Sequence, residues 1–201
     1  MTAISAIFNA HFSAIEALRQ QEDEIQQLGD RLIACLRGGH RIFLCGNGGS
    51  AADAQHIAAE MVCRFETQRR ALPAIALTTD TSALTAIGND LGYDQVFARQ
   101  VEALARPGDV LIGLSTSGNS RNVIAAVQQA KEMGVATLGL LGGVGDRRGG
   151  KLLNLVDYAL VAPSDTTARI QECHILVGHI WCAMVDAAFI PQNKPDQSSP
   201  L

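Results

Sequence analysis

At 201 residues the chain suits one domain of ordinary size, and with 47% apolar and 18% charged residues its composition is globular, not disordered. Sixteen basic residues against twenty acidic ones leave a formal net charge of −4, which argues against a nucleic-acid surface, because such surfaces cluster Lys and Arg. The basic pairs Arg69-Arg70 and Arg147-Arg148 read as solvated loop charge. The five cysteines (Cys35, Cys45, Cys63, Cys173, Cys182) are an odd count without a C-x-x-C pair, set in apolar stretches. That usage points to free thiols in a reducing compartment. The opening Met-Thr-Ala-Ile-Ser lacks the basic segment and apolar run of a secretory signal. No apolar stretch approaches the ~20 residues that cross a bilayer, so a cytoplasmic protein without a membrane segment is expected.

In chain order, residues 2–36 read as two helices: Ile4, Ile7, Phe8, Phe12, Ile15 and Leu18 recur at helical spacing, as do Ile25, Leu28, Leu32, Ile33 and Leu36. Both stripes need a partner, from the same fold or another subunit. From residue 40 short apolar runs alternate with helical segments. Strands are predicted over 41–45, 73–78, 109–114, 135–141 and 156–161, and helices over 51–64, from 120 to about 133, and 167–189. Strands apolar on both faces, alternating with helices, indicate an α/β fold with a parallel sheet covered on both sides. One domain over 1–190, with N-terminal helices within 1–37, leaves a polar tail at 191–201 with three prolines, which is expected to be disordered.

In such sheets ligands bind beyond the carboxyl ends of the strands. Two polar loops stand there, Gly46-Asn47-Gly48-Gly49-Ser50 after the first strand and Ser115-Thr116-Ser117-Gly118-Asn119-Ser120 after the third. Gly and Ser at a strand-to-helix junction aim backbone N–H groups at an anion, and the helix N-terminus adds partial positive charge. Four hydroxyls in six residues exceed what an N-cap needs and suit a phosphomonoester. Gly46 to Ala51 also fits the dinucleotide pattern G-x-G-x-x-A. The acidic residue that pattern wants, Asp80, lies too far along, and the second loop would go unexplained.

His56 and Glu60, at i and i+4, share a helix face, and Gln171 and His179, eight residues apart, project to roughly one side of the last helix. If the two helices face each other, two imidazoles, a carboxylate and an amide oxygen converge, a set that suits zinc or proton transfer between adjacent carbons. Spacing alone leaves open that these are surface or structural residues. His174, on the same helix but turned away from His179, reads as structural, and Trp181 and Cys182 as core or subunit contact.

The segments 45–56, 84–90 (Leu-Thr-Ala-Ile-Gly-Asn-Asp), 115–120 and 168–172 (Ala-Arg-Ile-Gln-Glu) together resemble the phosphoheptose isomerases of the SIS-domain family, in order and over nearly the whole chain. The resemblance implies a three-layer fold with a five-stranded parallel sheet between helices. It implies a homotetramer with sites between subunits, and one Zn2+ per subunit held by His56, Glu60, Gln171 and His179. Glu60 would be the base and His179 the acid. Substrate contacts would extend to Asn47, Gly48, Gly49, Glu60, Asn89, Asp90, Ser115, Thr116, Ser117, Ser120 and Gln171, the serines holding phosphate and Asn89 and Asp90 the sugar hydroxyls. The implied reaction interconverts sedoheptulose 7-phosphate and D-glycero-D-manno-heptose 7-phosphate for surface polysaccharide such as lipopolysaccharide. Some members carry Asp where this chain has Ala168. Arg64 to Thr67 and Leu72 to Leu77 also resemble a bacterial replication-initiator-associating protein of the same fold. Those proteins lack the residues matching Glu60 and His179, which this chain keeps. A SIS isomerase for another sugar phosphate is the other alternative.

Overall fold

The computed structural model describes residues 2–190. The expected disordered tail at 191–201 lies outside the described residues. Helix α1 (Ala3–Arg19) starts where Thr2 Oγ1 accepts from the Ser5 amide at 3.2 Å. Helix α2 (Glu22–Arg37) opens on Glu22, Asp23 and Glu24 and closes on Arg37, which opposes the helix dipole at both ends. The apolar stripe of α2 is buried through Ile25, Leu28, Leu32 and Leu36, whereas α1 buries only Ala14 and Leu18.

The sheet comprises β1 (Ile42–Cys45), β2 (Ala74–Ala76), β3 (Val110–Ser115), β4 (Ala136–Gly142) and β5 (Tyr158–Ala162). All pairings are parallel, in the order β2-β1-β3-β4-β5. Side chains alternate along each strand, so Ile42 and Leu44 enter one core with Ile112 and Leu140, while Phe43, Leu111 and Leu141 enter the other. The first core is roofed by α1, α2, α3 (Gly49–Val62) and α7 (Thr167–Phe189); α5 (Ala98–Leu104) and α6 (Arg121–Glu132) cover the second. The prediction of strands buried on both faces needs one correction. Ile75 of β2 is 37% exposed, because β2 is the edge strand.

Two helices were not anticipated, α4 (Thr81–Asp90) and α5, with a 3-10 turn at Tyr93–Gln95 between them. No residue of α4 is fully buried, and its apolar stripe is one turn long, Leu84 and Ile87 packed partly buried on the second core. Helix α7, in contrast, has the predicted bounds. At 23 residues, with a mean hydropathy of 1.2 over its most apolar window, it is long and apolar enough to span a bilayer, which corrects the expectation that no such stretch exists. Its buried side chains are core of this fold: Trp181 is fully buried and its indole Nε1 donates to the Ile25 carbonyl of α2 at 3.0 Å.

The reading of Arg69 as solvated charge is also overturned. Its side chain is wholly buried and its Nε donates to Asp186 Oδ1 of α7 at 2.7 Å. Asp186 Oδ2 accepts from the amides of Glu66 and Thr67 at 2.8 and 2.7 Å. The guanidinium donates further to the carbonyls of Met61, Arg70 and Glu60. A planar five-donor cation can satisfy one carboxylate and three carbonyls at once, which makes the burial sustainable. Arg70 stays exposed, its guanidinium 5.1 Å from the Phe189 ring centroid. All five cysteines are free; four are buried, but Cys63, at the C-cap of α3, is exposed. Burial pushes the Cys45 and Cys182 thiols up to about 12, so they behave as core, not as nucleophiles.

Candidate functional site

The chain leaves β1 towards β2 on one side and β3 towards β4 on the other, so the strand order reverses between β1 and β3. Both polar loops lie at the carboxyl ends of these two strands, and α3 and α6 start from them. Two helix N-termini therefore approach one crevice, each presenting free amide groups and partial positive charge.

The loops are joined by a residue the sequence reading missed. Asn47 Nδ2 donates to Asn122 Oδ1 and Asn122 Nδ2 donates back to Asn47 Oδ1, both at 2.8 Å. Asn122 is 3% exposed, in the first turn of α6, so this reciprocal amide pair fixes one loop against the other. Nothing local in the sequence signals a pair 75 residues apart. Gly48 takes φ +55° to turn the chain into α3, which no side chain caps. A side chain at Gly49 would meet the Gln171 amide at 2.4 Å, so Gln171 of α7 lies directly against this loop.

In the second loop Ser115 is buried and its Oγ is 2.9 Å from Ser120 Oγ. Ser120 occupies the N-cap of α6 yet makes no capping hydrogen bond, so the hydroxyl richness is not explained by capping. Ser117 Oγ accepts from the Asn119 amide at 3.1 Å, and Thr116 is half-buried. Gly118 has φ +65°, and a Cβ there would sit 1.8 Å from the Gly149 carbonyl oxygen. Only glycine fits that position, which packs the hydroxyl loop onto the segment after β4. A cleft of about 510 Å³ opens beside it, between Thr116, Ser117 and Asn119 on one wall and Arg147 and Lys151 on the other.

Asn89 and Asp90 end α4 on the surface, with Asn89 Nδ2 donating to Asp90 Oδ1 at 2.7 Å. The segment after them turns towards the crevice, where the Tyr93 hydroxyl donates to Asn47 Oδ1 at 3.4 Å.

The third group of predicted residues comes together between α3 and α7. Gly178 lets these helices touch, since a Cβ there would lie 2.5 Å from Ile57 Cδ1. His179 follows it, and its Nε2 is 3.3 Å from His56 Nε2. His56 Nε2 is in turn 3.2 Å from Glu60 Oε1. The His179 ring stacks on Phe65 with centroids 5.2 Å apart, which fixes its orientation. The Arg69 guanidinium, by holding the Glu60 carbonyl at 2.8 Å, ties the end of α3 to the buried ion pair. His56 and Glu60 remain accessible, with side chains 47% and 25% exposed. Among the described residues no three His, Cys, Asp or Glu form a closed metal cluster; the contacts run from Glu60 to His56 to His179. Gln171 lies two turns earlier on α7, about 12 Å along its axis from His179. His174 is buried, with Nε2 2.8 Å from the Leu141 carbonyl oxygen. Burial pushes its pKa down to about 4, so it is a neutral structural tie to β4.

The SIS domain model matches residues 8–142. A phosphoheptose isomerase of Nitratiruptor sp. is 60% identical over 157 residues, covering 78% of this chain and 82% of the relative. That of Geobacter sulfurreducens is 53% identical over 94% of this chain and 98% of its own length. Among solved structures, the phosphoheptose isomerase of Neisseria gonorrhoeae superimposes with a TM-score of 0.84 at 47% identity, over 92% of this chain and 97% of that one.

Proposed function

This chain belongs to the SIS-domain family and, within it, to the phosphoheptose isomerases, and from that membership we propose that it interconverts sedoheptulose 7-phosphate and D-glycero-D-manno-heptose 7-phosphate. It is a sugar-phosphate isomerase by family; the heptose substrate, a role in surface-polysaccharide synthesis and a cytoplasmic location are the finer reading. The observation that carries this reading is that one chain holds both a hydroxyl-rich anion crevice, at the starts of α3 and α6, and an imidazole–carboxylate cluster between α3 and α7. Glu60 lies 11 residues beyond Gly49 on α3, or about 16 Å along the helix axis. An extended heptose phosphate is shorter than that separation, so in this reading the anion crevice of one subunit works with the His56–Glu60–His179 cluster of another, in keeping with sites between subunits.

In this account Ser115, Thr116, Ser117 and Ser120, with the amides at the start of α6, bind the phosphate. Asn47, Gly48, Gly49 and Gln171 line the path of the sugar, and Asn89 and Asp90 hold its hydroxyls. Glu60 takes the proton from C1 of the ketose, and His179 protonates the neighbouring oxygen, so that the enediolate collapses to the aldose on protonation at C2. Phe65 stacking keeps the His179 ring aimed at that position.

The donor types suit zinc, and two contacts of the cluster have the spacing of zinc ligands, while no three of its acids and imidazoles close on one point among the described residues. Ligand atoms at ~2.0–2.1 Å from a tetrahedral ion lie about 3.3 Å apart, and the His56–His179 and His56–Glu60 contacts are 3.3 and 3.2 Å. His56, Glu60 and His179 would hold it, one per subunit; Gln171, about 12 Å along α7 from His179 and packed against Gly49, does not reach that point within the same subunit. When bound, it would act as a Lewis acid on the substrate oxygen. Glu60 must then be released, or bound loosely, to act as base. The test is conversion of sedoheptulose 7-phosphate to aldose with and without a chelator. Activity is expected to fall on metal removal and return with zinc; turnover unaffected by complete removal would leave the isomerase and discard the metal.

We also propose that the chain works as a homotetramer. Ile4, Ile7, Phe8 and Phe12 share one face of α1 and are 56–68% exposed. An apolar stripe of that size on one helix suits coverage by another copy.

A further inference from the structure

The hydroxyl loop that would receive the phosphate is itself uncharged, whereas a phosphomonoester carries close to two negative charges at neutral pH. The α6 N-terminus supplies roughly half a positive charge, so most of the balance must come from side chains. The cleft beside the loop has two cations in its wall, Arg147 and Lys151. Arg147 is engaged, with Nη2 2.6 Å from Asp165 Oδ2. Asp165, which also lines the cleft, accepts through Oδ1 from the Val144 amide at 3.3 Å, so the pair is tied to the strap, the segment 143–154 after β4. Lys151 has no carboxylate within ion-pair distance among the described residues. Asp146 is the other acid of the wall, on the 3-10 turn Gly145–Arg147 earlier in the strap.

The backbone at Lys151 is built onto the loop. Its amide donates to Asn119 Oδ1 at 3.1 Å, while Asn119 Nδ2 donates to the Ser117 carbonyl at 2.8 Å. The next amide, Leu152, donates to the Gly118 carbonyl at 3.0 Å. Gly150 has φ +54°, and a Cβ there would lie 2.4 Å from the Ser117 carbonyl oxygen, so the strap approaches the loop as closely as a chain can. An ammonium on a long stem, anchored at its root beside the hydroxyls, is, among the described residues, the one positive charge in the cleft wall without a carboxylate partner.

We propose that Lys151 neutralises the phosphate dianion held by the Ser115–Ser120 loop and thereby selects phosphorylated over unphosphorylated sugars, an inference that rests on the sugar-phosphate reading above. Asn119, which clamps the strap to the loop, is then the positioning residue for Lys151.

The test compares the wild-type enzyme with Lys151→Met and Lys151→Arg, titrating inorganic phosphate by calorimetry and measuring KM and kcat for sedoheptulose 7-phosphate. Loss of a charge-assisted contact should weaken phosphate binding and raise KM by roughly tenfold in Lys151→Met. The kcat should change far less, because the reacting carbons are remote. Lys151→Arg should recover most of the affinity. Phosphate affinity and KM equal to wild type in Lys151→Met would overturn the proposal while leaving the isomerase reading intact. A wild-type enzyme that neither binds phosphate nor turns over the sugar phosphate would overturn both.

Discussion

Replacing Glu60 with Gln should lower kcat by roughly 10²–10⁴-fold, the usual contribution of a positioned general base. The fold should survive. Glu and Gln have similar helix propensity, and the recorded contact of the Glu60 side chain is with His56 at its accessible edge. An unchanged melting temperature would therefore accompany the lost activity. Because Glu60 is also a proposed metal ligand, the zinc content of the variant separates the two roles. Metal retained with turnover lost supports the base; metal and turnover lost together would make Glu60 chiefly a ligand. A kcat within a few-fold of wild type would refute both roles.

The largest stability effect is expected at Asp186. Asp186→Asn keeps the shape but leaves the Arg69 guanidinium buried without a counter-charge. Breaking a buried pair from one side costs about 3–5 kcal/mol, a large part of the roughly 5–15 kcal/mol by which domains are stable. In a chain of this size the melting temperature should fall by roughly 10 °C. Burial raises the Asp186 pKa, but the amides of Thr67 and Glu66 and the Arg69 guanidinium outweigh it, holding the carboxyl below its ordinary value. Its stabilisation is thus present above the unfolded-state pKa, and is lost as pH falls through the lower folded-state value. Wild type should lose stability on acidification in that window, and Asp186→Asn should show a shallower acid limb. Urea titrations at a series of pH values measure both effects. Equal stability of the two proteins would show that the ion pair contributes nothing net. Arg69 also holds the Glu60 carbonyl, so a weakened pair should loosen the end of α3 that carries the proposed base.

What the sequence disclosed and what it withheld follow from the range of the interactions concerned. Alternating apolar runs and helical stripes are local, and they gave the parallel sheet, the hydroxyl loop and the bounds of α7. The i, i+4 spacing of His56 and Glu60 needed only the knowledge that both lie on one helix. Their meeting with His179, 123 residues later, depended on a close contact of α3 with α7, and the device that permits it, Gly178 against Ile57, has no local signature. The same holds for Asn47 with Asn122. Arg69 was misread because adjacent arginines look solvated when their partner stands 117 residues away. Helix α4 escaped because its packed apolar pair, Leu84 and Ile87, spans a single turn, too short for a period to register, whereas β2 lies within the predicted 73–78 strand and only the exposure of Ile75 was unforeseen.

The central claim is that this chain moves a proton between C1 and C2 of a heptulose phosphate, and the most direct measurement is incubation of the purified enzyme with sedoheptulose 7-phosphate in heavy water, followed by NMR. The account predicts that an aldoheptose phosphate accumulates and that, as the two sugars interconvert over many turnovers, solvent deuterium enters at C2. It also predicts that Glu60→Gln abolishes both signals. Absence of product and of exchange in folded, zinc-supplied enzyme would contradict the assignment of substrate and reaction. Product that stays free of deuterium after prolonged equilibration would contradict the proton-transfer mechanism.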